Sequence, residues 1–250
     1  MKNKFTIPSK EKTSEFYDDL VSGSESRGLF GMSKRFNTKL ISNKRSTKKY
    51  FIDKVVPYIT PESKVLDFGC GPGSFLIPIA PYCKEIIGID ISKKFIEECT
   101  NNIKENGLTN AKSLHITPNV LPFKDETFNV IIMVDVIHHL EDIEDNLEHL
   151  FCLLKPGGTV LIFEPNKLNP LMFLMHLFDK NERGLLRVGS PKRYHKLLNP
   201  YINLEEISYS GLVVGPQSKA FDFITEILNS AIFRHFLGWL NPKIFISGRK

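Results

Sequence analysis

The sequence predicts a doubly wound α/β fold, on three observations. From Lys64 onward, short aliphatic runs alternate with helix-length segments. The first run ends in Gly69-x-Gly71-x-Gly73. The second ends in Asp90, about 20 residues further on, the separation expected when a turn after one strand faces the end of the next. Alternating strand and helix is the pattern of a mainly parallel sheet covered on both faces.

The runs are 65–68, Glu85–Asp90, Phe128–Val134 and 159–163, with a weaker strand at Ala111–His115. They are nearly continuous in aliphatic residues, so the strands are expected to be buried on both faces. Segments 92–105 and 142–154 read as helices. In the second, Ile143, Leu147, Leu150, Phe151 and Leu154 recur at helical spacing, and Gly157-Gly158 stops the pattern. Beyond Pro170 the periodicity loosens. Residues 171–178 are almost wholly apolar, 179–200 are basic and polar, and 204–214 reads as a strand. Residues 220–240 read as one amphipathic helix and 243–248 as a closing strand.

At 250 residues the chain can bury one large core. The expected organisation is a helical N-terminal cap over 1–55, mixing Lys, Ser, Asn and Gly with a few aromatics, and one catalytic domain over 56–250. Within that domain an acceptor lid is expected over about 166–240. No run of 18 apolar residues occurs and the N-terminus is polar, so a soluble, cytoplasmic protein is expected. Cys70, Cys83, Cys99 and Cys152 are scattered without metal-type spacing, so neither a disulfide framework nor a metal site is expected.

The net charge of +5 is unevenly placed. Residues 1–60 carry 13 Lys and Arg against 6 Asp and Glu, 61–182 carry 10 against 18, and 183–250 carry 10 against 4. Two readings stay open: solvated helix surfaces, or a basic rim that attracts a phosphorylated, nucleic-acid or anionic membrane partner.

A strand, a glycine turn and a helix put backbone amides close to a bound ligand. The nicotinamide fingerprint Gly-x-Gly-x-x-Gly needs glycine at position 74, where Ser74 stands. Asp67, just before the turn, would repel a pyrophosphate but suits a ligand carrying an ammonium and a sulfonium. Asp90 is placed to accept hydrogen bonds from both ribose hydroxyls. Alone, such an aspartate is often only a helix cap; in order and at this separation the two features point to a nucleoside cofactor.

Further segments join them: Ile89-Asp90-Ile91-Ser92, Leu121-Pro122-Phe123, Ile137-His138-His139-Leu140 and Leu154-Lys155-Pro156-Gly157-Gly158. Together with 65–73 they make residues 60–168 resemble the class I S-adenosylmethionine methyltransferases, especially the ubiquinone and menaquinone branch of methyltransferase type 11. The resemblance implies a seven-stranded Rossmann-like sheet with its last strand antiparallel, and S-adenosyl-L-methionine as cofactor across the carboxyl ends of the first two strands. It also implies that Asp67, Gly69, Cys70, Gly71 and Gly73 lie at the methionine part, Asp90 at the ribose and Ile91 on the adenine. Many relatives have an Asp at the adenine amino group where this chain has Thr117, whose hydroxyl can still accept a hydrogen bond.

Methyl transfer is an in-line displacement from a sulfonium, so positioning and exclusion of water matter most. A hydroxyl acceptor benefits from a base. The candidates are His138 and His139 beyond the fourth strand, with His176 and His195 further along. Structural roles are open for each. Glu164 and Asn166, after the fifth strand, either hold an acceptor or cap the next helix. Asp135 either faces the methyl group at the cofactor or orients a neighbour.

The apolar segments 171–178 and 220–240 beside Arg183, Arg187, Lys192, Arg193 and Lys196 favour a small-molecule or lipid-like acceptor, with O- or C-methylation and peripheral membrane contact as expectations. Methylation of RNA is the alternative enzyme; no nucleic-acid-binding module is recognisable, so nucleic acid is not the expected partner. A non-catalytic cofactor-binding scaffold is the alternative from another class. The oligomeric state is left open.

Overall fold

The computed structural model describes residues 9–21, 45–117, 121–178, 182–212 and 219–250. Seven strands form one sheet: β1 Lys64–Phe68, β2 Glu85–Asp90, β3 Ala111–His115, β4 Phe128–Val134, β5 Leu154–Pro165, β6 Asn203–Ser210 and β7 Lys243–Arg249. Their order is β3-β2-β1-β4-β5-β7-β6. The first five are parallel, while β7 runs antiparallel to both β5 and β6. The order reverses between β1 and β4, and a ligand crevice forms at such a switch point, outside the carboxyl ends of the strands.

Side chains alternate across the sheet with period two. On β4, Val130, Ile132 and Val134 face one core, shared with Phe51 and Val55 of helix α2 (Arg45–Val55), Leu76 and Ile79 of α3 (Leu76–Ile79), and Ile96, Cys99 and Ile103 of α4 (Lys93–Glu105). Ile131 and Met133 face the other, with Leu147, Leu150 and Phe151 of α5 (Ile143–Cys152). The same core takes in Tyr194 and Leu198 of α8 (Pro191–Leu198). Two buried faces explain the unbroken aliphatic runs.

The remaining helices are α1 (Lys10–Val21), α6 (Pro170–Phe178), α7 (Gly184–Val188), α9 (Lys219–Asn229) and α10 (Ala231–Leu237). Three boundaries differ from the sequence reading. Helix α5 stops at Cys152 because Leu154 already pairs with Phe128, and the Lys155 to Gly158 turn is an irregularity inside β5, where the register shifts. The long helix expected over 220–240 is broken at Ser230, whose Oγ accepts from Phe233 N at 3.2 Å and caps a second helix. The strand near 204–214 ends at Ser210, and positions 213–214 lie outside the described residues. Among the described residues, no helix is long and apolar enough to cross a membrane.

Candidate active site

The turn after β1 is built from backbone that ordinary side chains disfavour. Gly69, Gly71 and Gly73 have φ of 75°, 51° and 89°. Any side chain on Gly69 would sit 2.4 Å from Val136 Cγ2. At Gly71, by contrast, an added Cβ meets nothing within 4 Å. The turn is tied to β2 through backbone bonds from Gly69 N and Cys70 N to Ile89 O at 2.8 and 3.0 Å.

Asp90 completes the tie. Its Oδ2 accepts from Gly71 N at 2.9 Å and its Oδ1 from Ser92 N at 2.8 Å. Burial raises its carboxyl above the usual range, against the opposing pull of those amides. Asp67 lies deeper, buried between β2 and β4, and its Oδ2 has no hydrogen-bond partner among the described residues. Burial, then the negative charge of Asp90, pushes it up to about 7. A buried orphan carboxylate oxygen next to an open glycine cradle fits a ligand that brings a positive charge to the turn.

A cavity of about 410 Å³ opens from this turn across the carboxyl edge of the sheet, within the size range of small-ligand sites. Gly69, Cys70, Gly71, Asp90 and Ile91 line it on one side, Asp135 and His139 on the other. The Cys70 thiol is pushed well up, chiefly by its contact with Cys99 and by burial, and stays protonated. Asp135, with φ of 58°, is ion-paired to the buried Lys243 of β7.

Not all of the anticipated residues reach that wall. Asp67 and Gly73 lie behind it, and His138 and Glu164 are fully buried on the sheet side. β3 ends at His115, Ile116 is buried and lines the cavity, and Thr117 is exposed and does not line it. His195 is also exposed, on α8. Asn166 is internal to the fold: its Nδ2 donates to Trp239 O and Asn241 O, both at 2.9 Å, and its Oδ1 accepts from Leu168 N.

The histidines sit on the 3-10 turn Ile137–His139 after β4. Glu164 holds that turn. Its Oε1 accepts from Val136 N and Ile137 N at 2.7 and 2.8 Å, and its Oε2 accepts from His138 Nδ1 at 2.7 Å and from Tyr194 OH at 3.2 Å. Burial alone would push His138 down, but Glu164 and Glu182 outweigh it and hold it up to about 10. The same ion pair and the turn amides keep Glu164 below the usual range despite burial. His139 faces the cavity, with its Nε2 2.9 Å from Tyr17 OH of α1. Burial, then the charge on His138, pushes His139 down to about 4.

Sequence reasoning missed four contributors. Thr13 and Tyr17 reach the cavity from α1, Glu182 from the segment before α7, and Tyr194 from α8 supports Glu164. Only the aromatic character of the N-terminal segment hinted at any of them.

Comparison with known proteins addresses the same edge of the sheet. A family model described as a methyltransferase domain matches residues 66–162, the stretch that carries the glycine turn, Asp90 and the two histidines. Residues 66–162 thus carry a methyltransferase domain of the S-adenosylmethionine-dependent kind.

The chain is 31% identical over 103 residues to the methyltransferase YcgJ of Bacillus subtilis, a match that spans 41% of each chain. It is 26% identical over 211 residues to the ubiquinone biosynthesis O-methyltransferase of Rickettsia felis, covering 80% of this chain and 82% of that one. A solved S-adenosylmethionine-dependent methyltransferase of Aquifex aeolicus superposes with a TM-score of 0.56 at 16% identity, over 85% of this chain and 98% of the other; at that identity the likeness shows the fold. Methyltransferases of this kind use S-adenosylmethionine, and the open cradle at Gly71 and the orphan oxygen of Asp67 fit it.

Proposed function

We propose that this methyltransferase moves a methyl group from S-adenosylmethionine to a hydroxyl of a small, largely apolar acceptor. The observation that carries the reading is one continuous cavity with the glycine turn and Asp90 at one side and His139 at the other. The turn from Gly69 to Gly73 holds the methionine part, Asp67 offers its charge to the ammonium from behind the turn, Asp90 takes the ribose and Ile91 packs on the base. The cofactor supplies an electrophilic methyl on a good leaving group. The chain itself has to orient the acceptor, exclude water and take one proton.

His139 is the residue for that proton, because its ring lines the cavity while His138 is buried behind it. His138 and Glu164 are positioning residues that fix the turn on which His139 stands. Thr13 and Tyr17 of α1 and Glu182 of the expected lid segment line the cavity, which supports a cap and lid over the acceptor. Phe178, Ile232 and Phe236 are 79%, 76% and 71% exposed, which favours an acceptor of lipid-like character met at a membrane surface. The ubiquinone biosynthesis O-methyltransferases among the relatives favour oxygen as the methylated atom.

Incubating the protein with isotopically labelled S-adenosylmethionine and fractionated cell extract, followed by mass spectrometry, tests this. Label is expected in a lipid-fraction molecule that bears a new O-methyl group. Label found only in RNA, or only in soluble polar acceptors, contradicts it.

A further inference from the structure

Behind the cavity wall, His138 Nε2 lies 3.3 Å and His176 Nε2 3.6 Å from the same oxygen, Glu182 Oε2. All three residues are buried, and their ligand atoms fall within 4.8 Å of one another. We propose that His138, His176 and Glu182 form a binding site for a divalent transition metal of the zinc class.

Three features carry this. The first is the chemistry of the set: two imidazole nitrogens and one carboxylate are the ligands of open zinc sites. The second is spacing. Zinc bonds of about 2.0–2.1 Å arranged tetrahedrally separate the ligand atoms by about 3.3–3.4 Å, close to the two separations seen here. An octahedral magnesium site at about 2.0–2.1 Å needs neighbours nearer 2.9 Å and prefers oxygen. The third is orientation. His138 Nδ1 donates to Glu164 Oε2 at 2.7 Å, and His176 Nδ1 donates to Met172 O at 2.7 Å. Metal-binding histidines are aimed in this way, with one ring nitrogen donating to a carboxylate or carbonyl so that the other is presented as a ligand.

The ion ties three distant pieces together: the 3-10 turn after β4, helix α6, and the segment leading into α7. Gly184 shows how closely α7 must lie against that turn, since a Cβ there would fall 1.6 Å from His138 O. Of the three ligands only Glu182 also lines the cavity, so the metal sits directly behind its wall, next to His139, whose Nε2 lies 3.7 Å from the same Glu182 oxygen. Cysteine spacing gave no sign of this, because the ligands are two histidines and a glutamate from separate elements. Without metal the same atoms hold a protonated His138 between Glu164 and Glu182, and zinc binding releases the proton from its Nε2.

The proposal is independent of methyl transfer and is tested without it. Tag-free protein is loaded with zinc, dialysed and analysed for metal, and the cobalt-substituted form is examined by visible absorption. The expected result is about one zinc per chain and the intense spectrum of tetrahedral cobalt without a thiolate band. His176→Gln and Glu182→Gln are expected to lose the metal, while Cys152→Ser and His195→Gln, at exposed residues, keep it. Glu164→Gln is expected to weaken zinc binding about 10–100-fold through the ligand it orients. No retained zinc, a thiolate band in the cobalt spectrum, or retention unchanged in both ligand variants overturns the proposal. The cobalt spectrum of the unaltered protein decides the matter even where a variant fails to fold.

Discussion

The backbone amide of Gly71 donates to the Asp90 carboxylate at 2.9 Å, so the turn after β1 and the acid that ends β2 are one unit. Asp90 therefore shapes the turn, and in the proposed function it also meets the ribose. Hydrogen bonds to a charged group contribute about 1.5–3 kcal/mol each. Asp90→Ala is expected to weaken S-adenosylhomocysteine binding at least about 100-fold by calorimetry and to lower the melting temperature of the ligand-free protein. Loss of affinity with unchanged stability would mean that the bond to Gly71 contributes little.

In the proposed function, Asp67 links cofactor binding to protons. Its folded value of about 7 lies above the unfolded 3.8, so the folded chain holds a proton that the unfolded chain has released. This residue therefore lowers stability as pH rises through that window, by about 4 kcal/mol in all, and its effect is constant above it. Asp67→Asn is expected to stabilise the ligand-free protein at about pH 8 and not at about pH 4. A cationic ligand at the turn favours the ionised form, so cofactor binding near neutral pH releases a proton. Titration calorimetry in buffers of different ionisation enthalpy measures that release, and the Asn variant is expected to lack it.

Helix α1 closes over the same site. Ser92 Oγ donates to Asp18 Oδ1 at 2.5 Å, Lys94 N donates to that oxygen at 3.2 Å, and Ser14 Oγ donates to Ile91 O at 2.9 Å. Asp18→Ala together with Tyr17→Phe is expected to speed cofactor release about tenfold in stopped-flow measurements, with a smaller effect on association. An unchanged dissociation rate would show that the helix does not cover the bound cofactor.

Parts of this arrangement were legible in the sequence because they are local. Aliphatic runs buried on both faces, the glycine turn and Asp90 each announce themselves within a few residues. What was not legible depends on contacts between distant positions. Nothing near Tyr194 indicates that its hydroxyl supports Glu164, 30 residues earlier. Nothing near Tyr17 indicates that it meets His139, 122 residues later. Position in a motif points to Thr117, yet it lies exposed just beyond the end of β3. The break at Ser230 is a capping serine inside an otherwise helical apolar pattern, where periodicity alone favours continuation.

His139 is the residue expected to govern the chemical step. His139→Ala is expected to lower kcat by about 100-fold or more, with little change in cofactor affinity, if the acceptor is a hydroxyl. Single-turnover kinetics separates this from a change in binding. Equal loss of kcat and of cofactor affinity would assign His139 to the fold of the turn instead.

The central claim is that the cavity between the Gly69 turn and His139 delivers the methyl group of S-adenosylmethionine to an acceptor. The most direct measurement is transfer of isotopically labelled methyl from S-adenosylmethionine into fractionated extract, comparing the protein with its Asp90→Ala variant. A single labelled apolar product is expected, with S-adenosylhomocysteine formed in equal amount, and neither from the variant. Cofactor binding without any labelled product in any fraction, or equal product from the variant, would contradict it.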